Sequence, residues 1–200
     1  EGQRVTVAEV VFSGNEGVSD SELVGAMSTR KEGFWWFRSG TYDQVTFAAD
    51  LQQNLPSLYR SHGYLDMQVV GDTLIIDPSS GKAIVEVTVD EGEQYRLGEF
   101  EIDGNTVFED DELEEFFRST RGGGLLGTLG LAGGEGPANE VGEIFNAESF
   151  NAAITAVEER YRNEGYLYIR VNPVVDVNDG ADGEPPTVDA SWQIVEGTPA

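Results

Sequence analysis

Few residues in this 200-residue chain could do chemistry, and they are poorly placed for it. His62 is the only histidine and there is no cysteine, so neither a histidine pair nor a thiolate is on offer to a transition metal. A Ser-His-Asp set would have to rest on His62 alone. Its place at the end of a helical pattern suits capping instead, where a protonated imidazole favours the helix dipole. Asp176, Asn178, Asp179, Asp182 and Glu184 gather oxygens of the kind calcium takes. They lack the glycine and bidentate glutamate spacing of an EF-hand and read as a solvated hairpin tip. Gly122-Gly123-Gly124-Leu125-Leu126-Gly127 matches G-x-G-x-x-G. That motif holds a pyrophosphate only between a strand and a helix, whereas here it follows a short helix and runs on into more glycine. It reads as a flexible inter-helix loop. Paired carboxylates abound, but without a cleft they are surface charge. We expect no catalytic constellation, metal or cofactor, and no enzyme.

The bulk numbers narrow the partners. Twelve Lys and Arg against 37 Asp and Glu leave a formal charge of −25. Such a field repels DNA and RNA, and no basic patch interleaved with aromatics offsets it. Only two of the cations are lysines, Lys31 and Lys82, and the chain keeps enough Trp, Phe and Tyr for a core. The surface therefore reads as that of a folded protein adapted to high salt. No apolar run approaches the ~20 residues that a membrane-spanning helix needs. The chain reads as an excised piece of something longer.

What organises the sequence is a repeat. Gly14-Asn15 followed by residues 18–23 (Val-Ser-Asp-Ser-Glu-Leu) returns as Gly104-Asn105 followed by residues 108–113 (Phe-Glu-Asp-Asp-Glu-Leu), 90 positions on. Tyr59, Gly63 and Tyr64 return as Tyr161, Gly165 and Tyr166, now 102 positions on. Each copy closes on Glu-Gly, at Glu91-Gly92 and Glu196-Gly197. Constant landmarks with drifting offsets mean one fold used twice with insertions in its loops. Two domains follow, residues 1–94 and 95–200, each of a size that supports one core.

Within the first copy, residues 5–12 alternate as a strand with Ala8, Val10 and Phe12 on one face. Ser19-Asp20-Ser21-Glu22 fits a capping box, which starts a short helix over 20–28. Phe47, Leu51, Leu55 and Leu58 form the stripe of a longer helix, which Pro56 should kink or interrupt. Gly63 stops it. Strands over 64–76 and 82–90 follow, joined by a turn at Asp77-Pro78-Ser79-Ser80-Gly81. The second copy repeats this order: a strand over 96–102, a helix over 110–118, the stripe Phe150, Ile154, Val157 and Tyr161, and strands over 166–177 and 187–195. Its extra length falls between the helices, where nine glycines crowd residues 122–142. The class is α+β, each copy β-α-α-β-β.

Gly-Asn after the first strand, the aromatic run Phe34-Trp35-Trp36-Phe37 between the helices, Tyr-x-x-x-Gly-Tyr before the second strand and the closing Glu-Gly together resemble POTRA domains. These are the polypeptide-transport-associated repeats of the Omp85 superfamily. Residues 34–36, Tyr42, Asp50, 59–64 and 87–95 are similar to the third such domain of the outer-membrane assembly factors. Phe145-Asn146, residues 161–170 and Val171-Asn172-Pro173 are similar to the fourth. The acidity and the glycine-rich insertion depart from the family pattern.

The resemblance implies two tandem POTRA domains, each a three-stranded mixed sheet with two helices on one face and the second strand at an edge. It further implies a periplasmic arm that precedes a C-terminal membrane barrel, receives unfolded outer-membrane proteins and docks accessory lipoproteins. The alternative is the arm of another Omp85 transporter, of two-partner secretion, TamA-like or plastid import type. An edge strand presents unpaired N–H and C=O groups that can accept an extended peptide by β-augmentation. The candidate edge residues are Leu65, Met67, Gln68, Val69, Val70, Asp72 and Leu74 in the first domain and Tyr168, Arg170 and Asn172 in the second. Met67 to Val70 would supply apolar grip. Four aromatics in a row cannot all face one core, so Phe34, Trp35, Trp36 and Phe37 form a possible contact patch. Gly14, Asn15, Gly63, Tyr64 and their partners Gly104, Asn105, Gly165 and Tyr166 are expected to be structural.

Overall fold

The structure, a computed structural model, describes residues 5–29, 41–119, 139–180 and 183–200. The chain divides into two compact units, Glu1–Arg60 with Tyr64–Glu93 and Ser61–Gly63 with Gln94–Ala200.

In the first unit, strand β1 (Thr6–Ser13) leads to helix α1 (Asp20–Ala26), helices α2 (Gln44–Ala49) and α3 (Leu55–Ser61), and strands β2 (Gln68–Asp77) and β3 (Lys82–Asp90). The sheet order is β1-β3-β2, with β1 parallel and β2 antiparallel to the central β3. Strict alternation in β3 puts Ala83, Val85, Val87 and Val89 on the buried face. Leu23, Met27, Phe47, Leu55 and Tyr59 from the helices join the same core. Burying side chains of this size stabilises by ~1.5–3 kcal/mol each before entropy is counted. Ser19 caps α1 as a capping box: its hydroxyl accepts from the Glu22 amide at 3.4 Å, and Glu22 Oε2 accepts from the Ser19 amide at 3.2 Å.

Two local departures have identifiable causes. Ala8 was expected inward, but a register shift between Val7 and Glu9 buries Val7 with Phe12 and turns Ala8 out. The long helix is broken as Pro56 requires, yet by a π-helical turn over Asp50–Asn54 rather than a stop. The wider turn relieves the clash between the proline ring and the carbonyl four residues back. It also absorbs one residue: Phe47 and Leu55 stand eight apart, while their counterparts Phe150 and Val157 stand seven apart. Inside that turn Asp50 is fully buried, accepting from the Ser28 amide (2.6 Å), the Thr29 amide (2.8 Å) and Asn54 Nδ2 (2.6 Å).

In the second unit, strand β4 (Arg96–Asp103), helix α4 (Asp110–Ser119), helix α5 (Ala147–Asn163) and strands β5 (Arg170–Asn178) and β6 (Thr187–Val195) repeat the plan. The sheet order is β4-β6-β5, again parallel then antiparallel about the central strand. Its core is aromatic: Trp192 meets Phe100, Phe117 and Phe150 at ring-centroid distances of 4.9, 5.9 and 6.0 Å.

Candidate functional site

The landmark glycines and tyrosines hold each sheet to its helices. Gly14 and Gly104 have φ of 83° and 85°, which L side chains rarely adopt. A Cβ there would lie 2.1 Å from the Val89 carbonyl oxygen and 2.3 Å from that of Ile194. Asn15 and Asn105 then tie the turn identically. Each Nδ2 donates to the carbonyl three residues on (3.0 Å, Val18 and Phe108) and to the aspartate five on (2.7 Å, Asp20 and Asp110). Gly63 and Gly165, with φ of 83° and 94°, close the long helices. The amides of Tyr64 and Tyr166 bond back to the carbonyls of Tyr59 and Tyr161 at 3.0 and 3.1 Å, the Schellman pattern.

The closing glutamates turn out to be latches. Glu91 Oε2 accepts from the amides of Glu16 (3.0 Å) and Gly17 (2.9 Å) in the loop after β1. Glu196 Oε1 accepts from the amides of Thr106 (2.6 Å) and Val107 (2.9 Å) and from the Tyr161 hydroxyl (2.9 Å). The sequence marks Glu-Gly as a boundary; the amides it binds lie 74 to 90 residues away and Tyr161 lies 35 away, so no local spacing reveals the bonds. Burial first, then the Glu196 carboxylate, raise the Tyr161 phenol above its ordinary pKa. Burial and Glu91 do the same to Tyr59. The Tyr59 hydroxyl and Glu91 Oε1 are nonetheless both buried without a hydrogen-bond partner, so hydrogen-bond geometry is met only in the second unit.

Each sheet has two outer strands, β1 and β2 in the first unit and β4 and β5 in the second. β1 and β4 each take an antiparallel bridge on the outer side, Thr6 with Thr41 and Arg96 with Ile144, whereas β2 and β5 pair with no further strand among the described residues. The edges start later than the sequence suggests. The chain spends residues 64–67 and 166–169 returning from the helix, so Leu65, Met67 and Tyr168 precede the strands. Met67 is buried in the core and gives no apolar grip, Leu65 is half-buried, and Tyr168 is exposed. Gln68, Val69, Val70, Asp72 and Leu74 lie on β2, where Val70 is 59% exposed at a register shift between Val69 and Gly71. From Gly71 to Asp77 the ladder with β3 is unbroken. Arg170 and Asn172 lie on β5, and Asn172 Nδ2 donates to the Gln193 carbonyl at 3.3 Å. The turn joining β2 to β3 is held by Asp77. Its carboxyl, pulled down to about 2 by the hydroxyls of Ser79 and Ser80 and the Ser79 amide, accepts from all three at 2.7–2.8 Å. The patch Phe34, Trp35, Trp36 and Phe37 lies outside the described residues, as does most of the glycine-rich insertion.

Among the described residues no three His, Asp or Glu side chains gather to hold a metal ion, and no helix is long and apolar enough to cross a membrane. A family model for POTRA, described as a surface antigen variable number repeat, matches residues 5–92 and again 95–197. The chain belongs to the POTRA family. Two of its relatives are named as assembly factors. The outer membrane protein assembly factor BamA of Neisseria meningitidis is 24% identical over 200 residues, covering 98% of this chain and 22% of that protein. A putative outer membrane protein assembly factor of Treponema pallidum is 29% identical over 170 residues, covering 83% of this chain and 18% of that protein. The chain thus spans about a fifth of the curated relatives it matches. Among solved structures, Haemophilus influenzae BamA POTRA3-5 superposes with a TM-score of 0.63 at 23% identity, covering 98% of this POTRA pair and 67% of that chain. That likeness agrees with two tandem POTRA folds.

Proposed function

We propose that this POTRA pair is part of the periplasmic arm of an outer-membrane β-barrel assembly factor. It is an interaction module and not an enzyme. In this reading the β2 edge receives extended segments of unfolded outer-membrane proteins by strand addition, and other surfaces of the pair dock accessory lipoproteins. The observation that carries it is the unbroken run Gly71–Asp77, an edge strand with regular pairing on one side and, among the described residues, none on the other. Main-chain bonding to such an edge is largely blind to sequence, which suits a receptor for many clients. Binding is expected to be weak, because ordering an extended peptide offsets most of the gain.

The test is a calorimetric titration of a peptide copied from an outer-membrane β-strand into wild type and Asp72→Pro. Proline at 72 deletes one edge donor, and the fold tolerates proline at the matching position of the second unit, Pro173. Loss of binding in a variant with unchanged circular dichroism supports the reading. Wild-type affinity in a folded Asp72→Pro variant overturns it. Asp72→Asn, which keeps the amide, should bind at least as well as wild type.

A further inference from the structure

The β2 and β5 edges are not equivalent. In an antiparallel ladder successive residues point their backbone groups alternately at the partner strand and away from it. Pro173 sits within β5, paired with Trp192 in an unbroken register from Arg170 to Asn178. A nitrogen without hydrogen is tolerated there only if it faces away from β6, so residues 171, 173, 175 and 177 carry the outward groups. A second observation gives the same phase: the Val171 amide donates to Glu158 Oε1 of α5 at 3.4 Å, a long bond that only an outward amide could make. Glu158 is held in place by Arg162, whose Nη2 donates to Oε2 at 2.5 Å. Of the four outward donors of β5, Pro173 deletes one and Glu158 occupies another. Val175 and Val177 alone remain as outward donors, two of the four positions the register offers.

The matching positions in the first unit carry neither device. The carbonyls that crowd Gly14 and Gly104 equate Val89 with Ile194. The registers then equate Asp72, paired with Val87, with Pro173, paired with Trp192. Leu74 and Ile76 match Val175 and Val177 in the same way. On the helix, the 102-residue offset that equates Tyr59 with Tyr161 places Pro56 opposite Glu158. Proline has no carboxylate with which to reach an edge amide. The outward amides of Asp72, Leu74 and Ile76 thus stand in sequence along β2, and no side chain accepts from them among the described residues.

We infer that Glu158 and Pro173 close the β5 edge, so that, of the two matching edges, strand addition is directed to β2 and not to β5. The inference rests on the reading that extended chains bind by strand addition, and goes beyond it by naming the residues that choose between two similar edges. Capping edges with proline and inward-reaching charge is how sheet proteins prevent unwanted pairing.

The experiment opens the closed edge. The same strand peptide is titrated into wild type, Asp72→Pro, the double variant Glu158→Ala with Pro173→Val, and the triple variant combining all three. The expected stoichiometries are one, none, two and one peptides per chain. If the double variant gains no second site while wild type binds one, the closure is wrong and the proposed function stands. If wild type binds none but the double variant binds one, the closure is right and the proposed function falls. If nothing binds to either, both fall. Hydrogen exchange keeps the inference testable should the double variant fold poorly. Glu158→Ala alone should speed exchange of the Val171 amide at least severalfold while Asn172 and Val174 stay protected. An unchanged Val171 rate removes Glu158 from the inference.

Discussion

The Tyr161 hydroxyl donates to Glu196 Oε1 at 2.9 Å, joining the last turns of α5 to the residue just beyond β6. Burial alone would raise the Glu196 carboxyl. The hydroxyl of Thr106, the amides of Thr106 and Val107 and the Tyr161 hydroxyl outweigh it and hold the carboxyl below its usual 4.5. A depressed folded pKa gives stability that is fully present above the unfolded value and is lost as pH falls through the folded one. Glu196→Gln should therefore melt well below wild type at neutral pH, with the gap shrinking as the pH falls through about 4.5 and below. Melting curves at half-unit pH intervals test this. A gap that stays constant down to the acid limit would show that the charge of Glu196 is not what holds the loop.

Glu91 makes the corresponding latch in the first unit with two backbone amides, and is itself 8% exposed. Removing the acceptor leaves the amides of Glu16 and Gly17 without their partner in a part-buried loop. Glu91→Ala should cost about 2–4 kcal/mol in urea unfolding, the range for losing charged acceptors of buried donors. Glu91→Gln keeps one acceptor oxygen and should recover about half of that loss. A cost below about 0.5 kcal/mol for Glu91→Ala would reduce the latch to a surface contact.

Tyr64 and Tyr166 share a motif but not an environment. Tyr64 is 9% exposed, and its hydroxyl fills the space that a Cβ on Gly17 would need, at 1.8 Å. The counterpart of Gly17 is Val107, and Tyr166 is only half-buried. Tyr64→Ala should cost about 3–5 kcal/mol, as large aromatic truncations in cores do. Tyr166→Ala should cost roughly 1–2 kcal/mol. Equal costs in chemical denaturation would mean that the landmark, not its burial, sets the energy.

Alternation in residues 82–90 and 187–195 shows the central strands and their inward faces directly, because a half-buried strand has a period of two. Ser19 with Glu22, and Gly63 with Tyr64, are equally readable, since caps and stops act over a few residues. The register shifts at Ala8 and Val70 were not readable. Each is one extra residue that the partner strand accommodates, and its own sequence is ordinary strand. The edge strands begin at Gln68 and Arg170 because a Schellman turn consumes the residues after each glycine, although Leu65 and Tyr168 look like strand formers. Glu158 was hidden among 37 acidic residues. The repeat marks Glu91 and Glu196 and the resemblance marks Asp50, yet only the folded chain reveals the amides that these side chains meet.

The charge itself makes the last prediction. At −25 the pair repels itself, and the outer face of β4 contributes, with Glu99, Glu101 and Asp103 exposed at alternate positions. Counterions screen such pairs as the Debye length falls from ~10 Å at 0.1 M salt to ~3 Å at 1 M. The melting temperature should rise with NaCl over that interval. Exchanging Glu99→Gln, Glu101→Gln and Asp103→Asn together removes three negative charges without touching the buried face. That variant should start at a higher melting temperature in low salt and gain less from added salt. A wild-type melting temperature that is flat or falls between the two concentrations would overturn the salt-adapted reading of the surface. A variant with an unchanged salt slope would instead place the repulsion on other acidic clusters.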